Sequence, residues 1–357
     1  MKESAIDTLQ AACSASWTNI AASRTGAHSE RDRIRSLLRA QRLVPSDTAF
    51  VVFGSLARCD WTSGSDVDWT LLVDGEARED HLSAAHGIRS ALVEAGYKEP
   101  SGEGVFGGTV FSHELVHRIG GESDSNRNTT QRILLLLESA SLGGDDRDVR
   151  ERVILQLLKR YVEDDYGYRP SAGWRPYVPR FFLNDVVRYW RTMAVDFAAK
   201  RRERAGRGWA IRNLKLRMSR KLLFVAGLSM ALSCKLRPST RLTETFESDE
   251  QFCSAMTGHL QELADKTPLE ILAQWCIDFS AHGAAVEIFG SYDRFLELLA
   301  DESSRKHLET LSVEAAQADD LFARAREIAR EYQEGLTRLF FATDGKLTEH
   351  TQRYGVF

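Results

Sequence analysis

The sequence offers little besides packing to hold its fold together. Its 357 residues include five cysteines, Cys13, Cys59, Cys234, Cys253 and Cys276, and none forms a C-x-x-C pair. That spacing excludes a disulfide framework and a cysteine zinc site, and it predicts free thiols in a reducing cytoplasm. Long apolar runs are missing as well. The longest, Leu222 to Leu232, is broken by Gly227 and Ser229 and is too short to span a bilayer. No basic stretch followed by an apolar one opens the chain, so neither a secretory signal nor a membrane role is expected. Acids are nearly absent from one long segment. Between Arg169 and Arg241 eighteen Lys and Arg residues face only Asp185, Asp196 and Glu203, a net of +15. The chain total is −4, which leaves −19 for the rest. An unremarkable average therefore hides a basic middle, and a polyanion is its natural partner.

What is present is enough for a buried core. Apolar residues make up 43 % of the chain, too many for a disordered one, and the length allows two or three domains. The first 26 residues are small and hydroxyl-rich, consistent with a short helix or a loose segment. A helix is expected from about Glu30 to Arg42. Buried strands are expected over Ala49–Phe53 and Val67–Val73, a helix over Asp80–Ala95, and a third strand over Thr109–Ile119. After Thr129 nearly everything reads as helix, beginning with Thr130 to Ser139. The pattern predicts an α+β protein: a small α/β domain followed by an all-helical part. The expected divisions are an N-terminal helical segment (1–47), a catalytic domain (48–128), a basic helical domain (129–240) and an acidic helical region (241–357).

Chemistry concentrates in Phe50 to Val73, FVVFGSLARCDWTSGSDVDWTLLV. Residues i and i+2 of a strand share a face, so Asp66 and Asp68 project together with Thr70 behind them. Two adjacent carboxylates repel unless a cation sits between them, and hard oxygen ligands suit Mg²⁺. Two such ions, about 3.5–4 Å apart, would clamp the attacking and leaving oxygens of a phosphoryl displacement. Gly54 ends a buried strand and lets backbone approach a ligand. Ser55 adds a hydroxyl, the N–H groups of the turn suit a phosphate, and Arg58, one helical turn beyond, is expected to pair with the same triphosphate. Alone, each feature is common. Together, with Ser55 and Asp66 eleven residues apart across two apolar strands, they point to one site.

GSLAR followed by GSDVDW resembles the G-S…D-x-D signature of the DNA polymerase β superfamily of nucleotidyltransferases. It is similar to small bacterial members and to the uridylyltransferase domain of the bacterial nitrogen-regulation enzyme. Asp124 through TTQRILLLLESASLGGD resembles the helical segment after that enzyme's catalytic core. The resemblance implies a polymerase-β-like fold. It also implies transfer of a nucleoside monophosphate from an NTP or dNTP to a hydroxyl, with two Mg²⁺ ions, Mn²⁺ being the alternative. On matching positions Gly54 and Ser55 hold the triphosphate, while Asp66 and Asp68 hold the metals. The superfamily places a third carboxylate on the next strand. Glu114 is the first choice for it, as both catalytic residue and metal ligand, with Glu122 and Asp124 as alternatives.

FFLNDVVRYWRT…RNLKLRMSRKLLF is similar to the helical part of bacterial nucleotidyltransferases. Phe182, Val186, Tyr189, Met193 and Phe197 form an apolar stripe, as do Ile211, Leu214, Met218, Leu222 and Val225. Arg188, Arg191, Arg212, Lys215, Arg217, Arg220 and Lys221 lie off these stripes. Of these, Arg188, Arg191, Arg212, Lys215 and Arg220 are expected to contact phosphates or a nucleic acid. Trp174, Trp190 and Trp209 interleave with them as stacking candidates. The expected acceptor is a nucleic-acid or oligonucleotide hydroxyl, and relatives in bacterial antiviral defence make such signals. A protein acceptor, including the chain itself, and an inactive nucleotide-binding module are the alternatives.

Other signals carry less. Gly102 to Gly107 fits G-x-G-x-x-G, but a strand pattern follows where a dinucleotide site needs a helix. His113 and His117 would share a strand face in a structural role. Leu311, Ala315, Ala318, Phe322, Ala325, Ala329, Tyr332 and Leu336 form a heptad seam. It is expected to pack within the chain, with pairing between copies as the alternative.

Overall fold

The structure, a computed structural model, describes residues 4–98, 105–144, 149–168, 173–203 and 206–355. In chain order the first elements are α1 (Ala5–Ala12), α2 (Thr18–Gln41), β1 (Thr48–Phe53), α3 (Gly54–Arg58), β2 (Trp69–Val73), α4 (Glu79–Glu94) and β3 (Gly108–Phe111). Next come α5 (Ser112–His117), α6 (Asn126–Leu137), β4 (Ser139–Gly144), α7 (Val149–Gly167) and α8 (Arg180–Glu203). Then α9 (Trp209–Lys215), a π-helical turn (Leu216–Arg220), α10 (Lys221–Leu236), α11 (Asp249–Ala264) and α12 (Pro268–Asp278) follow. The last are α13 (His282–Ala300), α14 (Glu302–Thr310), α15 (Asp320–Ala342) and α16 (Gly345–Tyr354). The chain divides into two compact units. One comprises residues 23–185 and 239–267, and the other residues 1–22, 186–238 and 268–357. No helix among the described residues is long and apolar enough to cross a membrane.

The first unit is built on a four-stranded sheet of order β3-β2-β1-β4. β1 pairs antiparallel with both β2 and β4, while β2 and β3 run parallel across the α4 crossover. All residues of β1 and β2 are buried, which explains their unbroken apolar sequences. Phe50, Val52, Val67, Trp69 and Leu71 pack on one face against Ile34 and Leu38 of α2 and Ala85, Ile88 and Leu92 of α4. On the other face Phe53, Thr70, Leu72 and Val110 meet Leu115 of α5 and Leu134 and Leu135 of α6. Val67, Trp69 and Leu71, on the face opposite Thr70, are therefore the residues that meet α2 and α4.

Two expectations for this unit need correction. The third strand stops at Phe111, and Ser112–His117 is helical. Its parallel partner explains the length: β3 pairs residue by residue with Thr70–Val73, and β2 offers nothing beyond. The Ser112 hydroxyl instead donates to Asp74 Oδ1 at 2.8 Å, where β2 has just ended. The second correction is β4. The helix expected over Thr130–Ser139 is α6 and stops at Glu138; the chain then pairs with β1, from Phe53↔Ser139 to Ala49↔Gly144. The sheet therefore extends past residue 128, into the part expected to be all helical. Of the glycine stretch Gly102–Gly107, residues 102–104 lie outside the described residues, as do 169–172 near the basic segment.

The second unit is helical. α13 packs along α15, and Phe322, Ala325, Ala329, Tyr332 and Leu336 of the heptad seam are buried there. The helices approach so closely that a Cβ on Gly335 would lie 2.8 Å from Ile288 Cγ1. The seam thus finds a partner within the chain. Its upstream members Ala315 and Ala318 precede the helix and are exposed. The hydroxyl-rich N-terminus is ordered as α1 and the start of α2. Trp17 stacks on Phe289 at 4.8 Å, and Asp293 accepts the Ile20 N–H at 2.9 Å.

Candidate active site

The hairpin of β1 and β2 sets the position of the two carboxylates. Val52 pairs with Trp69, and the Phe53 N–H donates to the Asp68 carbonyl at 2.8 Å, so the ladder runs one step past the strand. Asp68 therefore emerges opposite the end of β1, half-buried, and Asp66 precedes it, exposed. The chain turns at Gly54 with φ +66°, in the left-handed region. A Cβ there would lie 3.0 Å from Asp68 Oδ2. Glycine is required twice over: for its backbone angle and for the space beside the carboxylate. Gly54→Ala is expected to lose about 1–2 kcal/mol from the left-handed backbone alone and to push Asp68 from its place. Paired melting curves and transfer rates check it. A transfer rate equal to wild type would show that this space has no role.

Ser55 follows in the first turn of α3, half-buried. The N–H groups of a first helical turn have no intrahelical acceptor, which leaves them for a ligand. This short helix is held from three sides. Arg31 of α2 donates to the Leu56 and Ala57 carbonyls at 2.9 and 2.5 Å, a cation on the C-terminal carbonyls where the helix dipole favours one. Arg58 forms two 3.0 Å bonds to Asp60 and a further ion pair with Glu138, just before β4. All three side chains are nearly inaccessible to solvent.

Arg58 is thus placed differently from the expectation of a triphosphate ligand. Its guanidinium is buried between two carboxylates and ties the Gly54–Ser55 turn to the sheet. A guanidinium buried between two acids, with almost no surface open to solvent, is poorly placed to grip a further anion. Arg31, Asp60 and Glu138 were not singled out in the sequence. Only Asp60, two residues from Arg58, was near enough to signal its part.

The third-carboxylate candidates separate. Glu114 lies in the first turn of α5, exposed, 3.5 Å from Arg118. Glu122 is exposed beyond that helix. Asp124 is buried and fully engaged by Arg132, with bonds of 2.8 Å to each oxygen. On α5 His113 and His117 stand one turn apart with ring centroids at 4.9 Å; residues 113–117, HELVH, carry the H-E-x-x-H spacing in the sequence itself. Among the described residues no three His, Cys, Asp or Glu side chains gather to hold a metal ion, so neither this pair nor Glu114 completes such a group. Asp66 and Asp68 nonetheless fit an ion that arrives with a triphosphate. Mg²⁺ is commonly held by one or two carboxylates plus substrate phosphates; both side chains offer hard oxygen donors, and Asp68 lies beside Gly54.

The basic residues Arg188, Arg191, Arg212, Lys215 and Arg220 belong to the helical unit, whereas Gly54, Ser55, Asp66 and Asp68 belong to the sheet unit. Arg191 is exposed and the other four are half-buried, with Arg212 donating to the Arg207 carbonyl at 2.5 Å. Of the tryptophans, Trp174 donates to Asp249 at 2.8 Å, Trp209 packs on Phe322, and Trp190 lies beside Phe224.

Residues 33–101 match the nucleotidyltransferase domain family. The match spans β1, the Gly54 turn, both aspartates and α4, the segment whose geometry is described above. It agrees with the polymerase-β-like resemblance and supports nucleotidyl transfer as the general reaction. No curated protein and no solved structure gave a match. The sheet that carries the matched segment extends past it through β3 and β4, and a helical region follows.

Proposed function

We propose that the chain is a metal-dependent nucleotidyltransferase that moves a nucleoside monophosphate from an NTP or dNTP to a hydroxyl. The observation that carries this is the packing of Gly54 against Asp68 within a matched nucleotidyltransferase domain. The acceptor oxygen would bond to the α-phosphorus as the bond to the β-phosphate oxygen breaks and pyrophosphate leaves. Gly54 and Ser55 would cradle the triphosphate through backbone N–H groups and the serine hydroxyl. Asp66 and Asp68 would hold the divalent ion accompanying it, and that ion supplies charge neutralisation when bound. The rest of the chain's contribution is positioning, which the buried Arg58–Asp60–Glu138 cluster provides by fixing the turn.

The acceptor we favour is a nucleic-acid or oligonucleotide hydroxyl, on the strength of the +15 segment. Purified protein incubated with each α-labelled NTP and dNTP, with Mg²⁺ or Mn²⁺, tests this on a denaturing gel. A ladder that survives protease is expected, and its length and linkage would identify a signal oligonucleotide of the antiviral kind. Label lost on protease treatment would overturn the acceptor and favour protein nucleotidylation. No label with any nucleotide, with oligonucleotide acceptors supplied, would overturn the enzymatic reading.

A further inference from the structure

The helical unit contains a second concave region that the reaction above does not use. Its lower part is a pocket of about 300 Å³ lined mainly by Trp190, Phe224, Leu228, Leu336, Phe340 and Phe341. Trp190 and Phe224 lie with ring centroids 5.7 Å apart. Phe341, in the lining, is 41 % exposed. Above the pocket lies a groove of about 450 Å³ lined by Arg217, Lys221, Arg326 and Arg330, with Glu327 as its one acid. Lys221 and Gln333 line both spaces, so the two adjoin.

The charges come from distant parts of the sequence. Arg217 lies in the π-helical turn and Lys221 opens α10, whereas Arg326 and Arg330 come from α15, in the region that composition marked as acidic. Irregular π-turns are uncommon and recur at functional sites. Solvated helix faces spread like charges apart, but here four cations from the π-helical turn, α10 and α15 line one concavity. Glu327 pairs with Arg330, and Glu334 lies 3.9 Å from the same arginine, so both acids serve one cation. Lys221 donates to the Gln333 side chain at the junction. Burial, and then the neighbouring Arg217, pull its ammonium below the ordinary lysine range. An anion in the groove would offset both effects.

We propose that the helical unit binds a free nucleotide, with its base in the aromatic pocket and its phosphate among Arg217, Lys221, Arg326 and Arg330. Size agrees, because pockets for small ligands run from about 300 to 1,000 Å³. Chemistry agrees as well: aromatic rings accept any base by stacking, and arginines match phosphate oxygens with paired N–H donors. The proposal does not depend on the activity assigned to Asp66 and Asp68.

The test uses the full chain carrying Asp66→Asn and Asp68→Asn, in EDTA, so that the first site has no metal to recruit a nucleotide. AMP is titrated by calorimetry and by tryptophan fluorescence. One AMP per chain is expected, with quenching that disappears in Trp190→Phe. Arg326→Gln with Arg330→Gln changes only exposed side chains and is expected to weaken AMP roughly tenfold or more. Adenosine, which lacks the phosphate, is expected to bind as weakly to the parent as AMP does to that variant. Absence of AMP binding, or AMP binding unchanged in Arg326→Gln/Arg330→Gln, would overturn the proposal. So would a short oligonucleotide that binds where AMP does not, which would point to a strand instead. Loss of this binding with labelling intact sinks this inference alone, and the reverse result sinks only the catalytic reading.

Discussion

Asp68→Asn is expected to lower nucleotidyl transfer by at least about a thousandfold while the protein stays folded. The amide keeps the size and shape of the carboxylate, so the packing against Gly54 survives while the charge does not. What is lost is the donor that a triphosphate-bound ion needs, together with the negative charge that holds it. Asp66→Asn is expected to be as severe for transfer and milder for stability. Asp66 is exposed, and substitutions at such positions usually stay within about 0.5 kcal/mol. Initial rates at saturating nucleotide, measured beside melting curves, separate the two effects. A rate within tenfold of wild type in both variants would remove these residues from the chemistry. An unfolded Asp68→Asn would leave the test to Asp66→Asn, whose side chain packs against little.

The parts of this site that the sequence reveals are those whose physics is local. β1 and β2 are buried on both faces, so they appear as short apolar runs, and the D-x-D pair follows from its spacing beside them. Gly54 is legible because a strand ending in glycine signals a backbone turn. What the sequence conceals depends on distant partners. Arg58 follows the Gly54–Ser55 turn closely, and nothing within a few residues shows that Glu138, eighty positions on, will claim it. β4, with sequence SASLGG, lacks the β-branched and aromatic residues that mark a strand. It becomes one because the free edge of β1 offers a ladder, which is tertiary context overriding local preference. α5 was misread for a related reason. Its apolar and polar residues suit either period, and the decision rests on where β2 stops offering partners. The heptad seam was legible as far as Phe322 to Leu336, where one helix carries it, and not across the break before Asp320.

Arg132→Met is expected to be the most destabilising single change in the sheet unit, at about 3–5 kcal/mol. Arg132 is completely buried. Its guanidinium holds both oxygens of Asp124 at 2.8 Å and Asp185 at 2.6 Å, and it also reaches the Tyr161 hydroxyl at 3.1 Å. Tyr161 in turn donates to Asp185 at 2.5 Å. Burial, and then the charge of Asp185, push its phenol well above the usual tyrosine range, so it remains a donor at neutral pH. One cation thereby joins the loop before α6, α6 itself, α7 and the first turns of α8. Methionine matches the arginine stem in volume, so the loss is electrostatic: two buried carboxylates would be left with no cation between them. A chain of this kind has about 5–15 kcal/mol of stability in total, so the change approaches global unfolding. Neutralising the stranded acids separates this account from simple loss of packing. Arg132→Met with Asp124→Asn and Asp185→Asn is expected to recover part of the loss in urea denaturation, because the unpaired charges are gone. A single variant that costs under about 1 kcal/mol would mean that water or other donors satisfy these acids. The network would then be a consequence of the fold and not one of its supports. Asp124 explains why the outcome bears on the active site as well. As a third carboxylate it would have to leave Arg132, giving up both of its 2.8 Å bonds to the guanidinium.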